Sequence, residues 1–426
     1  MRVIVLGGGV IGVTTAYELA VDGHEVVVVE RNAGVAEESS FGNAGIVAPG
    51  HAYAWASPRA PLNLVQSLFS DETALRFKFS LDPKMWLWSL RFLANCTAAR
   101  NRANTLVKLG LCMYSRDRLK ALREATGIAY HETTKGTLYL YRGAHHLETA
   151  IANMALLADN GLVGLKGIDR EEAAALEPAI APVKDKFAGA VHCASDESGD
   201  SNLLCRELAK RMADKGVEFR FGTTVQGLRT EGGRIAGVVT DKGDITGDCY
   251  VMSLANETPR VLKGLGYRLP IYPIKGYSLT LNTDGHDGAP TMPVIDEEYL
   301  VAFTRMGNRF RVTATAEFAG YDTGFKPSDF GPMTRVARED FPDAGDYGNP
   351  SHFACLRPMT PDGPPVIGQG HHDNLIFNTG HGHIGWTMAA GSARIAADLV
   401  GDKKPEIDLT GMTPDRFLKS REFAAP

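Results

Sequence analysis

No stretch of this sequence stays apolar over the ~18 residues that a membrane-spanning helix needs, which excludes an integral helix but leaves peripheral attachment open. Cysteines are few and scattered: Cys96, Cys112, Cys193, Cys205, Cys249 and Cys355 form no CxxC pair. That argues against a zinc site, a thioredoxin-like motif and a dense disulfide framework, so a reducing cytoplasm is the simplest setting. Lysine- and arginine-rich runs are also missing, and a net charge of -5 gives no reason to expect nucleic acid. The apolar run at residues 3–6 stops at Gly7, too short for a signal-peptide core. Neither a Ser/His/Asp set nor a pair of carboxylates stands out. What remains is a chain of 426 residues, 44% hydrophobic and 22% charged, longer than one hydrophobic core usually serves. Two domains are expected.

The first thirty residues read clearly. Residues 2–6 suit a buried parallel strand, residues 10–22 a helix with a broad apolar surface, and residues 25–30 a second strand, with Gly23 as helix C-cap. This is a βαβ opening. Further strands are expected at 137–141, 216–221, 225–230, 235–240, 250–254 and 375–379, with longer ones at 271–281 and 309–315. A turn at Gly307-Asn308 precedes the last of these. Helices are expected at 145–159, 169–176, 201–215 and 384–400. There is no internal repeat or low-complexity linker, as expected when a second domain is inserted into the first.

Gly7-Gly8-Gly9-Val10-Ile11-Gly12 gives G-x-G-x-x-G between strand and helix. Gly7 permits the tight turn, Gly9 lets backbone approach a pyrophosphate, Gly12 allows close helix–sheet packing, and the helix N-terminus favours the anion. Glu30, eighteen residues beyond Gly12, ends the second strand where a carboxylate accepts hydrogen bonds from an adenosine ribose and repels a 2′-phosphate. Val10, Ile11 and Arg31 belong to the same expected binding surface. The motif itself does not separate FAD from NAD.

Three more segments bear on that choice: Ser39-Ser40-Phe41-Gly42-Asn43-Ala44-Gly45, Arg357-Pro358-Met359-Thr360-Pro361-Asp362-Gly363, and residues 374–386, reading N-L-I-F-N-T-G-H-G-H-I-G-W. With the fingerprint they resemble the D-amino-acid oxidase and glycine oxidase superfamily, and within it most nearly the bacterial FAD-dependent D-amino-acid dehydrogenase family. Asp196-Glu197-Ser198-Gly199-Asp200, residues 272–279 and residues 317–322 are similar to that family too, so the likeness runs along essentially the whole chain. It implies an α/β protein: a Rossmann-type FAD-binding domain from residues 1–80, 190–265 and 350–426, and a substrate domain on a mixed β-sheet from residues 81–189 and 266–349. The flavin is then expected at their interface. Ser39, Ser40, Asn43, Ala44, Gly45 and Val225 are expected cofactor contacts, with Gly380, Gly382, His383, Ile384 and Gly385. Glycines at 380, 382 and 385 let backbone approach a planar ring and start a helix whose N-terminus faces the flavin N1/O2 edge, where it stabilises the anionic reduced flavin. Small residues at 389–391, 393 and 397 suit close helix packing.

An amino-acid substrate needs a partner for its carboxylate, and the planar fork of arginine serves best. Arg357 occupies the position of the carboxylate-binding arginine in related oxidases. Tyr299 falls near a substrate-contacting tyrosine of the same relatives, and Tyr277 and Arg305 are alternatives from neighbouring strands. His383 departs from the small residue usual in the family at that position, whereas His381 matches the family's usual histidine. The two histidines, alternating in a turn without further ligands, do not make a metal site. The aromatic stretch Trp55, Phe69, Phe77, Phe79, Trp86, Trp88 and Phe92, interleaved with Arg91, Arg100 and Arg102, reads either as a buried amphipathic helix or as a membrane-surface contact.

The reaction implied is oxidative deamination of a D-amino acid, part of amino-acid catabolism. Arg357 orients the carboxylate, hydride passes to flavin N5, and hydrolysis yields a 2-oxo acid and ammonia; no dedicated protein base is expected. Electrons would go to a quinone or another non-oxygen acceptor, at a cytoplasmic site or one peripheral on the inner membrane. The rival reading is an oxygen-using flavin oxidase of glycine, sarcosine or a cyclic secondary amine such as proline or hydroxyproline. An NAD-dependent dehydrogenase and a non-catalytic flavoprotein subunit are more distant alternatives.

Overall fold

The computed structural model describes residues 1–67, 75–78 and 81–417; Phe69 and Phe79 of the aromatic stretch lie outside them. One sheet has six strands in the order Val366–Gln369, Leu375–Thr379, Cys249–Met252, Arg2–Leu6, Glu25–Val29 and Glu218–Arg220. Its last five strands are mutually parallel, and Val366–Gln369 closes one edge as an antiparallel hairpin partner. Val3 and Val5 pack into one core cluster, Ile4 and Leu6 into another on the opposite face. Burial on both faces is why this strand reads as continuous apolar residues.

Helices Val10–Val21, Ala98–Thr126, Ser201–Ala213 and Gly385–Val400 share the first cluster. The antiparallel ribbon Val225–Glu231 with Arg234–Thr240 covers the other face. The longest helix, Ala98–Thr126, was not among the expected elements. Thr97 caps it by accepting from the Arg100 N–H, and Gly127, at φ 60°, ends it in the left-handed region. It crosses Gly385–Val400 closely, with the Gly391 N–H donating to Ser115 Oγ at 3.0 Å. A β-carbon at residue 391 would lie 2.7 Å from the Ser115 Cα, so the small residue sets the spacing.

The second sheet has nine strands. Eight run in the order Ser351–Met359, Tyr272–Asn282, Arg309–Phe318, Val301–Met306, Val294–Asp296, Thr137–Tyr141, Gly189–Cys193 and Leu165–Asp169, and Leu75–Phe77 pairs beside Arg309–Phe318. It is mixed, since Val294–Asp296 pairs parallel with Thr137–Tyr141 while its other neighbour is antiparallel. The Gly307-Asn308 turn joins Met306 to Arg309 as a tight hairpin. Sheet membership departs from the expected division at three places. Ser351–Met359, Gly189–Cys193 and Leu75–Phe77 all belong to this sheet, because each pairs along it rather than with the parallel one.

Candidate functional site

Four parallel strands point their carboxyl ends at one place. Gly7 follows Leu6, Glu30 follows Val29, Ser253 follows Met252 and Gly380 follows Thr379, and all four line a cavity of about 1220 Å³. Open parallel sheets bind ligands at this edge. The volume exceeds the roughly 300–1,000 Å³ of ordinary small-molecule pockets, leaving room for a dinucleotide beside a small substrate.

Gly7 adopts φ 104°, and a β-carbon there would meet the Ser253 carbonyl oxygen at 2.7 Å. Gly9, Val10 and Ile11 line the wall; Gly9, just before the helix, has no side chain to cap it, and the Val10 N–H is taken by Ser40 Oγ at 2.9 Å. Gly12 is not on the wall; a β-carbon there would lie 1.9 Å from the Gly7 carbonyl oxygen, so its part is to let helix and turn meet. Glu30 accepts from the Gly8 N–H at 2.7 Å and from Asn32, while burial raises its carboxyl pKa against those bonds. Arg31 and Val225 are also on the wall, and Arg31 pairs with Glu38 at 2.6 Å.

Ser39, Ser40, Asn43, Ala44 and Gly45 line the cavity together. Several of their polar groups are already engaged. Ser39 Oγ donates to the Leu356 carbonyl, Ser40 Oγ accepts from the Val10 N–H, and Asn43 joins Ser40, Gly45 and Ser201. These side chains hold the loop's shape as well as facing the cavity.

Gly380, Gly382, His383, Ile384 and Gly385 form a further part of the wall, at the uncapped start of helix Gly385–Val400. Five wall residues here carry a buried polar atom with no protein partner: Ser253 Oγ, Asn378 Oδ1, His381 Nε2, His383 Nε2 and Trp386 Nε1. Burial pushes the His381 pKa down to about 3, and burial with nearby Lys108, His51 and Arg357 takes His383 well below its usual value. Both are neutral rings at neutral pH. The uncapped start of helix Gly385–Val400, a glycine cradle and unpartnered donors and acceptors suit a phosphate-bearing cofactor with a polar aromatic ring.

Arg357 faces the cavity and donates from Nη1 to the Thr315 carbonyl at 2.7 Å. Its guanidinium lies over Gly276, where a β-carbon would stand 2.4 Å from the guanidinium carbon. Burial lowers its pKa, with Cys355 opposing. Tyr277 is on the wall and its hydroxyl donates to the Glu317 carboxylate. Tyr299 and Arg305 are not brought there. Tyr299 packs against Arg142, whose guanidinium carbon is 4.9 Å from the ring centroid, and Arg305 is exposed and bonded to the Gly307 carbonyl. Sequence reasoning did not mark His51 and Tyr53 as site residues, although both line the cavity beside Trp55. The Trp55 ring centroid lies 4.4 Å from that of His383. Residues 51–55 have no periodicity and match no motif, so only the aromatic content signalled them.

A family model described as FAD dependent oxidoreductase, abbreviated DAO, matches residues 2–399. The chain belongs to this family: it is a flavin-dependent oxidoreductase, and FAD is its cofactor. Among curated relatives, a protein named D-amino acid dehydrogenase 2 from Mesorhizobium japonicum is 46% identical over 413 residues, covering 97% of this chain and 99% of its own length. A D-amino acid dehydrogenase from Bradyrhizobium diazoefficiens is 44% identical over 417 residues, covering 98% and 99%. Among solved structures, L-proline dehydrogenase from P. horikoshii has a TM-score of 0.74 at 20% identity, covering 98% of this chain and 97% of its own. Glycine oxidase from Geobacillus kaustophilus has 0.73 at 21%, covering 98% and 100%. These last two share the fold.

Proposed function

We propose that this enzyme oxidises the amine-bearing carbon of D-amino acids to an imino acid, which water converts to a 2-oxo acid and ammonia. The observation that carries the reading is Arg357, a half-buried cation on the cavity wall whose fork matches a carboxylate. Its Nη1 is engaged by Thr315, which fixes the plane of the guanidinium and leaves its remaining donors for substrate. Tyr277 and the neutral His383 shape the space around it. The cofactor-holding part is the six-stranded sheet with its helices, through Gly7, Gly9, Val10, Ile11, Glu30, Arg31, the 39–45 loop, Val225 and the 380–385 turn. Gly12 supports them from behind. The nine-stranded sheet supplies the substrate part. Bound FAD provides the acceptor for the hydride. The names of the relatives, D-amino acid dehydrogenase, support the substrate class.

The acceptor in this reading is a quinone or similar lipid-soluble molecule. Leu64, Leu75, Trp88, Phe92 and Phe318 line the same cavity as His383 and Arg357, giving it an apolar arm. Over that arm lies helix Pro83–Asn95, which buries Met85, Trp88 and Phe92 and exposes Trp86 (42%), Leu87 (53%), Leu90 (64%) and Leu93 (43%). Lys84 and Arg91 on this helix and Arg100 and Arg102 just beyond supply positive charge. An exposed apolar stripe flanked by cations is the pattern of a helix lying in a membrane interface. Among the described residues no helix is long and apolar enough to cross a membrane, so contact would be peripheral.

An anaerobic screen of D- and L-amino acids, prolines included, tests the substrate class through bleaching of the flavin spectrum. D-amino acids are expected to bleach it. Bleaching only by glycine, sarcosine or L-proline would replace the reading, and rapid reoxidation by air with stoichiometric peroxide would replace the quinone.

A further inference from the structure

A titratable residue that the expected mechanism does not use, His51, also faces the cavity, with Glu297 beside it. His51 closes the short turn Pro49–His51 and lines the wall, with Nε2 3.4 Å from Glu297 Oε1. Its ring stacks on Tyr139 at 5.8 Å between centroids, with planes 8° apart. Tyr139 donates to Asp196 at 2.6 Å, and the Gly50 N–H donates to the same carboxylate at 3.0 Å. The His383 ring stands edge-on to His51 at 6.3 Å. The imidazole is therefore held from one side by a ring and from another by a carboxylate, at the wall that Arg357 and His383 share.

We propose that His51, held by Glu297, accepts the proton that the substrate's ammonium group loses before its Cα–H is oxidised. This rests on the amino-acid reading above. An amino acid arrives mainly as an ammonium ion, which has no nitrogen lone pair to assist hydride departure. One N–H bond breaks, its electron pair stays on nitrogen, the proton goes to the imidazole, and no other reactant is consumed. Glu297 faces Nε2, which fixes that nitrogen as the N–H and leaves Nδ1 as acceptor. The new imidazolium would then sit beside a carboxylate, as in other histidine–carboxylate relays. No dedicated protein base is expected from the sequence; His51 departs from that expectation for the ammonium proton, while the Cα–H still leaves as hydride.

The surroundings favour His51 over its neighbours. Burial and Lys108 act to lower its pKa, Glu297 and Asp196 act to raise it, and the net direction is up. His383, facing Lys108, His51 and Arg357 with no carboxylate beside it, is pushed the other way and cannot hold a proton near neutrality. Burial raises the Tyr53 and Tyr139 hydroxyls, so they stay neutral. Asp196 is already bound by Tyr139, Gly50 and Cys193.

His51 acts as a base only when neutral, so flavin reduction falls as pH drops through its pKa. Glu297→Gln removes the group that raises this pKa and should move the acidic limb to lower pH. His51→Gln should abolish the limb and slow flavin reduction by about 10²–10⁴-fold at neutral pH, the usual yield of general base catalysis. A second readout needs no turnover: calorimetric binding of a 2-methyl amino acid, which lacks the Cα–H. In the wild type its affinity should weaken as pH falls through the same limb, because imidazolium repels ammonium, and in His51→Gln it should be flat there. If D-amino acids reduce the wild-type flavin but both profiles survive in His51→Gln, this proposal is overturned and the amino-acid reading stands. If none reduces the wild-type flavin, both fall.

Discussion

At Gly276 the missing β-carbon is what lets the Arg357 guanidinium lie flat on its neighbouring strand. Thr315, which accepts from that guanidinium, sits at φ 66°, a conformation that costs a β-branched residue about 1–3 kcal/mol. The strain coincides with a register shift between Tyr272–Asn282 and Arg309–Phe318, a bulge that turns one carbonyl toward the arginine. Gly276→Ala should therefore displace Arg357 and raise KM for amino acids by about tenfold or more, with the flavin spectrum unchanged. Arg357→Ala should cost about thirty- to two-hundredfold in kcat/KM and keep the flavin. Near-normal kinetics in both variants would move carboxylate binding elsewhere. Arg357 was singled out because it stands in a recognisable segment, and it lines the cavity. Arg305 misled because strand parity is invisible without register: Ala302 faces the cavity, and a residue three positions on points to the other face. Tyr299 lies in the turn before that strand, where the Arg142 cation fixes its ring and neither periodicity nor motif fixes its direction.

Elements with strong apolar patterns were readable, as the βαβ opening and the Gly307-Asn308 hairpin are found where expected. Helix Ala98–Thr126 was not, because its buried stripe includes Thr105, Lys108, Cys112 and Ser115, which a hydrophobic pattern does not register. Polar burial also joins the two ends of the chain. Arg394 on helix Gly385–Val400 donates to Glu18 at 2.9 Å, to Asp22 at 2.6 Å and to Asp398 at 3.0 Å, tying this helix to Val10–Val21. Removing one partner from a buried ion pair typically costs about 3–5 kcal/mol, so Arg394→Met should lower Tm clearly at neutral pH. The Arg394 hydrogen bond holds the Asp22 carboxyl below its usual range. A depressed carboxyl stabilises the fold above its unfolded pKa, about 3.9, and loses that contribution as pH falls through the folded value. The Tm gap between wild type and variant should therefore narrow below about pH 4. A gap independent of pH would mean that Arg394 acts through packing alone.

Over the whole molecule, the exposed stripe on Pro83–Asn95 sits above the apolar arm of the cavity, so docking and acceptor entry would share one face. Leu87→Glu with Leu90→Glu should reduce sedimentation with anionic vesicles and slow reoxidation by a long-chain quinone, while leaving reduction by substrate unchanged. Equal sedimentation of the two proteins would separate the stripe from the membrane. The parallel sheet has another consequence, set by the order in which its strands leave the ribosome. Val3 pairs with Cys249, and Tyr250 pairs with Leu375. The nascent βαβ unit of residues 2–29, glycine turn included, must therefore wait for Cys249–Met252 and Leu375–Thr379 before its sheet is filled. The 380–385 turn comes later still, so the growing chain acquires its full cofactor cradle only after Cys249–Met252 and Leu375–Thr379 have been made. Until then its parallel edges have no partner strands, and pairing over such sequence separations is intrinsically slow.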